Sequence, residues 1–483
     1  MAQVQVESNA GGRPVRSQDP RQSLRANSVR FLGTVGSAVG IQAPTGGVTF
    51  LPALMAGVVG AAGPLAFGLA IVAMLFVAYA FITFTRDSSS AGSVYVYNGR
   101  AMGPAYGFLS VWALIGVYIA YASSVYCSNA NILGALLQTG GLRLPWPLLA
   151  AGLWLLTIAL AYRSIAVSAT LIVALEGLSL ALVAVVAVAV IAQGGYHGHG
   201  VAATRLLPPG LGLSTLGLGV VFAFTGFSGF EVAATLGEEA RHPQRVISLS
   251  LVTALLVSGG VYTLMSWVET VGFASATALS QASVPLVDVA RLYVSPAMGT
   301  AVNVAALISG FGAQLATVNG ATRLLFALGR DGVGPRWLAR THPAQRSPIG
   351  ALGVVALVSV AAFLPLVAGT ALDAFFYLST YGADLIIVVY LLTVIAAFVQ
   401  TLRRRHRPGQ AVILLVGILV MGYVLKSTVY PIPAYPFNLC MDAAGVTLAV
   451  GAALLLWPRL RHALRTAPLF AIDAAPRGAG RGA

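Results

Sequence analysis

The sequence predicts an all-α membrane protein with twelve transmembrane helices. Of its 483 residues, 58% are hydrophobic and only 9% are charged, whereas about a quarter of the residues of a soluble domain are charged. A helix needs roughly 20 apolar residues to cross a bilayer. Charged residues and Gly- or Pro-rich turns divide this chain into apolar segments of about that length or longer. These observations exclude a soluble globular class.

The apolar segments follow one another along most of the chain. The first two fall between Arg30 and Arg86, a stretch that contains no charged residue and is long enough for two spans. Later boundaries fall at arginines such as Arg163 and Arg330, or at turns rich in glycine and proline. The predicted spans are 30–57, 63–85, 103–138, 145–162, 165–193, 214–237, 246–272, 295–328, 348–369, 373–399, 409–429 and 441–458.

The arginines indicate the orientation of these spans. With the N terminus placed inside, the predicted outer loops hold only Arg143, Arg205 and Arg291, while the tails and the inner loops hold most of the others. Cytoplasmic loops of membrane proteins carry such an excess of Arg and Lys. We therefore expect a multi-pass protein of the plasma or inner membrane. Cytosolic tails are expected at 1–28, which lacks the features of a secretory signal, and at 460–483.

Composition also limits the chemistry of the protein. The net charge of +14 comes almost wholly from arginine, and because the arginines sit at span ends and in the tails, membrane topology explains them better than nucleic-acid binding. Cys127 and Cys440 lie far apart and form no disulfide or metal-ligand pattern. The sequence contains no nucleophile–base pair, phosphate loop or metal cluster. We expect no enzyme activity, no cofactor and no metal.

The first span contains an interruption. In "SAVGIQAPTGGVTFLPALM", residues 37–55, Pro44 precedes Thr45, Gly46 and Gly47. Proline lacks a backbone donor and clashes with the preceding helical turn, so the helix is expected to break inside the membrane. The free N–H groups of residues 45–47 and the positive end of the second half-helix would hold a carboxylate, while the free carbonyl of Ala43 would hold an ammonium group.

The sixth span contains a matching interruption. In "FAFTGFSGFEVAATLGEEA", residues 222–240, the run Thr225 to Gly229 breaks the apolar pattern. Interrupted spans at corresponding places in two halves are typical of inverted-repeat transporters. Spans one and six are five apart, and because five is an odd number, the second half would be inverted in the membrane. The carbonyl of Thr225 would join that of Ala43 in holding an ammonium group, so the pair of breaks describes a site for an α-amino acid. The alternative is that both breaks are kinks or points of close helix packing.

The ionisable residues Glu176, Glu231, Asp384 and Lys426 fall inside predicted spans, where such residues tend to be functional. Glu231 follows the second break directly and is the first candidate for a coupled proton; alternatively, Ser228-x-x-Glu231 is a capping box, or Glu231 contacts the substrate. Glu176 is the second candidate, with a packed, hydrogen-bonded acid as the alternative. Asp384 and Lys426 are weaker candidates. Tyr118 and Tyr121 could line a pocket, although packing is the more ordinary role for them.

A charged stretch follows the sixth span. We expect Glu238, Glu239, Arg241 and Arg245 to form a cytosolic charge network that closes an inner gate. The alternative is a solvated loop.

Four stretches resemble the amino acid–polyamine–organocation (APC) superfamily of amino acid permeases. They occur in the order expected for that superfamily, from about residue 29 to 400. They are "PTGGVTFLPA" (44–53), "SAGSVYVYNGRAMGP" (90–104), "FTGFSGFEVAATLGEEARHPQRVI" (224–247) and "NGATRLLFALGRDGVGPRWLARTHPAQRSP" (319–348).

The resemblance implies a leucine-transporter-like five-plus-five inverted repeat with discontinuous helices one and six. The repeats would be 29–193 and 214–400, followed by helices eleven and twelve at 408–459. Transferred residue by residue, the family's site places the substrate carboxylate on the backbone amides and the substrate amine on backbone carbonyls, with two aromatic lids over the ligand. The amides are those of Thr45, Gly46 and Gly47, the carbonyls those of Ala43, Thr225 and Ser228, and the lids Phe224 and Phe227.

Two positions depart from the superfamily's pattern. The usual Gly-x-Gly triplet is Thr-Gly-Gly here, which makes Thr45 less flexible. Some proton-coupled relatives carry a lysine in the fifth span, and this chain has Glu176 at that place, so that coupling device does not transfer.

These observations together favour a secondary active transporter for an amino acid or related amine. It would work by alternating access and would be coupled to protons. Substrate/product exchange and sodium symport remain open as coupling modes. The alternative from another class is an uncoupled channel or receptor-like membrane protein. The substrate side chain, the direction of transport and the oligomeric state do not follow from the sequence.

Overall fold

A computed structural model describes residues 31–87, 93–163, 169–198, 210–235, 242–343, 347–403 and 408–467, and all regular secondary structure within these ranges is helical. The first ten α-helices are α1 Phe31–Gln42, α2 Pro44–Val48, α3 Leu51–Val59, α4 Gly63–Asp87, α5 Ser93–Met102, α6 Pro104–Thr139, α7 Trp146–Tyr162, α8 Ala169–Ala192, α9 Leu213–Phe227 and α10 Val232–Thr235. The others are α11 Pro243–Gly272, α12 Ala276–Gln281, α13 Pro285–Tyr293, α14 Pro296–Arg330, α15 Ile349–Phe363, α16 Ala371–Arg403, α17 Pro408–Val429, α18 Phe437–Leu454 and α19 Pro458–Thr466.

The described residues contain nine helical stretches that are long and apolar enough to cross a membrane, so the protein is an integral membrane protein. This count is lower than the twelve spans expected from sequence. The first predicted span consists here of α1, α2 and α3, with 12, 5 and 9 residues, and α3 lies together with α4 in the stretch Leu51–Arg86. Helices α7 and α9 are apolar but have only 17 and 15 residues. The nine stretches are Leu51–Arg86, Pro104–Thr139, Ala174–Gly198, Gln244–Gly272, Pro296–Arg330, Ile349–Leu366, Ala371–Arg403, Pro408–Val429 and Phe437–Leu454.

The first break separates α1 from α2 at Ala43. This residue has φ +40°, in the left-handed region, which costs a non-glycine residue of the order of 1–3 kcal/mol. Pro44 follows it and cannot donate the backbone hydrogen bond that would continue α1. Helix α2 ends after five residues in a tight turn, in which the amides of Thr49 and Phe50 donate to the carbonyls of Gly46 and Gly47.

The second break separates α9 from α10. Ser228 is extended, with φ −62° and ψ 140°, and Gly229 has φ +98°. A Cβ atom at Gly229 would overlap the side chain of Ile41 in the last turn of α1. The two breaks therefore lie against each other, and this approach requires glycine at 229.

Long helices form the frame around the breaks. Helix α6 packs against both α14 and α16, and α1 packs against α8 and α11. Inside the frame the helices approach closely where residues are small: a Cβ at Gly107 of α6 would lie 2.5 Å from the backbone oxygen of Tyr95 in α5, as is common between membrane helices. Large apolar side chains such as Leu155, Leu178 and Leu357 point outwards and are more than half exposed, as expected of a surface that faces lipid.

Candidate substrate site

A cavity lies where the two breaks meet. Its wall comes from the end of α1, from α2 and α3, and from residues 225, 226, 228 and 229 around the second break. Facing parts of α6, α14 and α16 and Tyr262 of α11 complete it. Among the residues that line it none is Asp, Glu, Lys, Arg or His. The cavity is thus an apolar chamber with hydroxyl, amide and backbone groups in its wall, a typical composition for a small-molecule site.

The backbone amides that follow the first break all have partners within the protein. The Thr45 amide donates to the Glu176 carboxylate (3.1 Å) and the Gly46 amide to the Ser309 hydroxyl (3.3 Å). The Gly47 amide donates to the Ala43 carbonyl oxygen (2.8 Å). Of these residues, Ala43, Gly46 and Gly47 line the cavity, and Thr45 is fully buried beside it.

Glu176 therefore occupies the position that the sequence assigned to a substrate carboxylate. It extends from α8 and is 6% exposed. Ser309, which accepts from the neighbouring Gly46 amide, belongs to α14, so the contacts of these two amides join α2 to α8 and α14. The carboxylate satisfies an amide that the helix break leaves without an intrahelical partner.

Gln42 connects the two breaks. Its side-chain amide donates to the Phe227 carbonyl at the end of α9 (3.2 Å) and accepts from the Ser258 hydroxyl (2.8 Å). Its backbone carbonyl accepts from the Tyr262 hydroxyl (2.7 Å). Gln42 and Tyr262 carry no sequence signal of these contacts, because nothing local to either residue indicates a partner about 200 positions away.

Glu231 is fully buried beside the second break, and its carboxylate accepts three hydrogen bonds. The donors are the hydroxyls of Tyr118 (2.9 Å) and Tyr390 (2.7 Å) and the backbone amide of Gly229 (3.0 Å). Tyr118 belongs to α6 and Tyr390 to α16, so the acid links the second break to two helices of the frame. Glu231 itself is not among the residues that line the cavity, but Tyr118 is.

The hydroxyl of Ser228 has partners other than those of a capping box. It donates to the Phe224 carbonyl (2.9 Å) and pairs with the Tyr121 hydroxyl (2.8 Å). The Glu231 carboxylate reaches the amide of Gly229, rather than that of the residue three positions before it. Ser228 and Tyr121 both line the cavity, so this pair brings the second break to α6.

The aromatic residues in the cavity wall differ from the two suggested by the resemblance. Phe224 and Phe227 are fully buried and are not among the lining residues. Phe227 packs edge-on against Tyr262, with ring centroids 5.7 Å apart, and Tyr262 does line the cavity. The other aromatic lining residues are Phe50, Tyr118, Tyr121 and Phe375.

Asn129 is a further lining residue that the sequence did not indicate. It is fully buried on α6, and its side-chain nitrogen donates to Gln314 of α14 (3.0 Å). Within the described part of the chain its oxygen Oδ1 has no hydrogen-bond partner. Asparagine in a long apolar helix carries no periodic signal, so only the fold brings it to the cavity.

Of the remaining sequence candidates that the structure describes, Arg245, Asp384 and Lys426 are not among the residues that line the cavity. Glu238, Glu239 and Arg241 lie outside the described residues, and Arg245 is exposed in the first turn of α11. Asp384 of α16 is 5% exposed and lies close enough to Tyr121 to interact with it electrostatically. Lys426, near the end of α17, lies over the Tyr430 ring, 5.1 Å from its centroid.

A family model described as "Amino acid permease" matches residues 30–445, most of the chain and both breaks included. The protein belongs to the amino acid permease family. This family is part of the APC superfamily and consists of transport proteins.

Similar proteins from this family include transporters of several substrate types. A low-affinity putrescine importer of Escherichia coli is 27% identical over 326 residues, 62% of this chain and 66% of the importer. A branched-chain amino acid permease of Bacillus subtilis is 25% identical over 356 residues, 68% of this chain and 71% of the permease. An uncharacterised transporter of Mycobacterium tuberculosis is 28% identical over 359 residues, 72% of this chain and 76% of the relative.

Proposed function

We propose that the protein is a secondary active transporter that moves an amino acid or related amine across the cell membrane by alternating access. The observation that carries the proposal is the cavity at the meeting point of two broken helices, with an acid, Glu231, directly behind its wall. A broken helix has unpaired backbone groups at the break, which is tolerated in a membrane only where protein or a cavity surrounds them. At the first break the amides of residues 45–47 already have protein partners, so a bound solute would chiefly be a partner for the carbonyl groups at the breaks.

The proposal includes the arrangement of twelve spans. Helices α1 to α3 would form the first span and α9 to α10 the sixth, and residues 29–193 and 214–400 would be two inverted repeats of five spans each. Helices α17 and α18 would be spans eleven and twelve, and both termini would be cytoplasmic. The corresponding positions of the two breaks support this arrangement.

Backbone groups at the breaks would hold the amino group of the substrate. The carbonyls of Ala43, Thr225 and Ser228 lie in lining residues and are proposed acceptors. If the substrate carries a carboxylate, the amides of Thr45, Gly46 and Gly47 would have to leave their present partners to bind it. Phe224 and Phe227 are proposed to support the aromatic wall from behind.

Glu231 is the proposed site of proton coupling, with Glu176 as the second candidate. A carboxylate accepts hydrogen bonds from both tyrosines and from the Gly229 amide, whereas a protonated carboxyl group must use one oxygen as a donor. Protonation would therefore weaken the link between the second break and either α6 or α16. That loss of a hydrogen bond would couple proton binding to movement of one group of helices against another.

The inner gate is proposed to include Glu238, Glu239, Arg241 and Arg245. Ion pairs among them would close the cytosolic side, and their separation would open it. Exchange of substrate for product and sodium symport are the alternative coupling modes. An uncoupled channel is the alternative from another class; a channel needs a continuous polar path, whereas the cavity at the two breaks is walled by apolar as well as polar residues.

The experiment is uptake of labelled amino acids and amines into proteoliposomes that contain the full chain. A proton gradient, a sodium gradient or internal substrate would be imposed in separate preparations. We expect the labelled substrate to accumulate above its equilibrium concentration only when the proton gradient is imposed. Equilibration without accumulation under every gradient would support a channel, and a requirement for internal substrate would support exchange.

A further inference from the structure

We infer that the substrate is a cationic amine without a carboxylate group, and that Glu176 and Asn129 determine this choice. The inference rests on the proposed transport function and narrows its substrate class. It begins from the chemistry that a carboxylate would need in the cavity. An anion in a low-dielectric site requires a cationic partner or several free N–H donors.

The cavity offers no cationic side chain to an anion, since its lining residues include no Lys, Arg or His. The backbone donors nearest to it at the first break are occupied. The amides of Thr45, Gly46 and Gly47 donate to Glu176, Ser309 and Ala43, respectively. A substrate carboxylate would have to displace these partners.

The partner on Thr45 is itself a carboxylate. Glu176 is almost fully buried at this point, so a second carboxylate next to it would bring two negative groups together in a low-dielectric environment, which is strongly unfavourable. Glu176 thus acts as a built-in carboxylate that fills the place and repels a competitor.

The wall of the cavity is also surrounded by acids. Glu231 is bonded to the lining residue Tyr118, and Asp384 lies within electrostatic range of the lining residue Tyr121. With Glu176, three buried acidic residues lie behind a wall that contains no basic one. Their oxygens favour a cation in the cavity in every protonation state, because even a neutral carboxyl group retains an acceptor oxygen.

Asn129 supplies an acceptor in the wall. The side-chain nitrogen of Gln314 donates to the Leu153 carbonyl (3.2 Å) and to the Thr157 hydroxyl, so the oxygen of Gln314 is left to accept from Asn129. This chain of hydrogen bonds fixes the amide of Asn129 with its oxygen Oδ1 as the unused group. Oδ1 is buried and has no partner within the described part of the chain. An ammonium group can donate to it, and a carboxylate cannot.

The test compares amines with the amino acids from which they differ by loss of the carboxylate. The pairs are putrescine and ornithine, 3-methylbutylamine and leucine, and 2-phenylethylamine and phenylalanine, each measured by uptake into proteoliposomes under the same gradient. We expect the amine to exceed its parent at least tenfold in kcat/KM in the pair that is transported best. Equal or better transport of the parent amino acid in that pair would overturn the inference and leave the transport function intact. If no amine, amino acid or other solute of a wider panel is transported, the proposed function fails and the inference fails with it.

Variants test the two residues. Asn129→Leu should lower the kcat/KM for the amine about tenfold or more, whereas Asn303→Leu should not. Asn303 is the matched control, because it is also a buried asparagine of the helix frame with an unpartnered oxygen within the described part of the chain but does not line the cavity.

Glu176→Gln keeps an acceptor for Thr45 and removes the charge, so it should reduce the preference for the amine over its parent amino acid about tenfold. Glu269→Gln, a change at a buried acid outside the cavity wall, is the control. Unchanged preference in Glu176→Gln, or equal loss in the two asparagine variants when both elute as monodisperse protein, would contradict the assignment.

Discussion

Gly229 shows how closely the backbone at one break depends on a side chain at the other. Its φ of +98° lies in a region that L side chains rarely adopt, and a Cβ there would overlap Ile41. The strain and the overlap have the same consequence, since both push the second break away from the end of α1. The cavity wall at this point thus depends on the absence of one carbon atom.

The first prediction therefore concerns Gly229→Ala. We expect it to abolish uptake and to lower thermal stability in detergent, because the new methyl group is strained and collides with Ile41. Gly260→Ala is the matched control, since nothing lies within 4 Å of a Cβ at that helical glycine of α11; replacing an exposed helical glycine with alanine gains about 1 kcal/mol. Adding Ile41→Ala to Gly229→Ala should restore part of the loss. Normal uptake by Gly229→Ala would show that the two breaks need not touch.

Glu231 is the second residue whose surroundings give a specific expectation. In Glu231→Gln, the remaining oxygen can accept from Tyr390 and Gly229 while the new NH₂ group donates to the Tyr118 hydroxyl, so the packing is kept and the titration is lost. Proton-driven accumulation should disappear while substrate exchange persists. Glu231→Ala should also reduce stability, because buried groups left without partners cost about 1–3 kcal/mol each.

The measurement for Glu231 is uptake with an inward proton gradient as the only driving force, beside exchange at equal pH. Accumulation by the glutamine variant to the wild-type level would reject Glu231 as the proton site and direct attention to Glu176→Gln. Loss of both activities in the glutamine variant would assign Glu231 a structural or substrate-binding role.

At the scale of elements, Gln42 is the connection between the two broken helices. It ends α1, contacts the end of α9 through its side chain and is held by Ser258 and Tyr262 of α11. Since these contacts join three elements whose relative movement would open the cavity, we expect Gln42 to matter for transport more than for folding alone.

The third prediction is that Gln42→Leu strongly reduces uptake and lowers stability, because the Ser258 hydroxyl and the Phe227 carbonyl lose their buried partner, at about 1–3 kcal/mol for each group. Gln193→Leu is the matched control: its side chain also donates to a backbone carbonyl, that of Tyr293 (2.8 Å), but at an exposed position. Changes at exposed sites usually stay within about 0.5 kcal/mol. Uptake and melting temperature would be measured for both, and similar behaviour of the two variants would contradict the bridging role.

The breaks were accessible from sequence because their causes are local. Pro44 and the glycines around it forbid a continuous helix whatever surrounds them, and the run from Thr225 to Gly229 carries the same kind of signal. The residues that contact the breaks and the cavity from distant parts of the chain could not be predicted from the sequence. Tyr262 reaches Gln42 across 220 positions and Asn129 reaches Gln314 across 185, and such pairings depend on how the helices pack. Phe224 and Phe227, placed by resemblance alone, are not among the residues that line the cavity, and their role at the substrate stays a prediction.

At the scale of the whole molecule, hydrophobic composition predicted a helical membrane protein, and the permease family was indicated by motifs spread from about residue 29 to 400; the family match over residues 30–445 confirms this. The number of spans is harder to read, since a break divides a crossing into helices shorter than the bilayer. Here the first predicted crossing consists of three short helices. A count of helical stretches by length and apolar composition gives nine in the described residues. The orientation of the chain in the membrane is indicated only by the distribution of the arginines.

The fourth prediction tests that orientation. Leu142, in the turn between α6 and α7, is 50% exposed, and Trp337, which follows α14, is 44% exposed. If twelve spans cross the membrane with the N terminus inside, Leu142 faces the outside and Trp337 the cytoplasm. In a chain whose buried cysteines, Cys127 and Cys440, are replaced by alanine, Leu142→Cys should react with a membrane-impermeant maleimide on intact cells. Trp337→Cys should react only after the membrane is permeabilised, and the opposite pattern would require an inverted protein. Labelling of both residues, or of neither, from outside would mean that the number of crossings between them is even. The helices between them, α7, α8, α9 with α10, α11 and α14, would then make one crossing fewer or more than the five proposed.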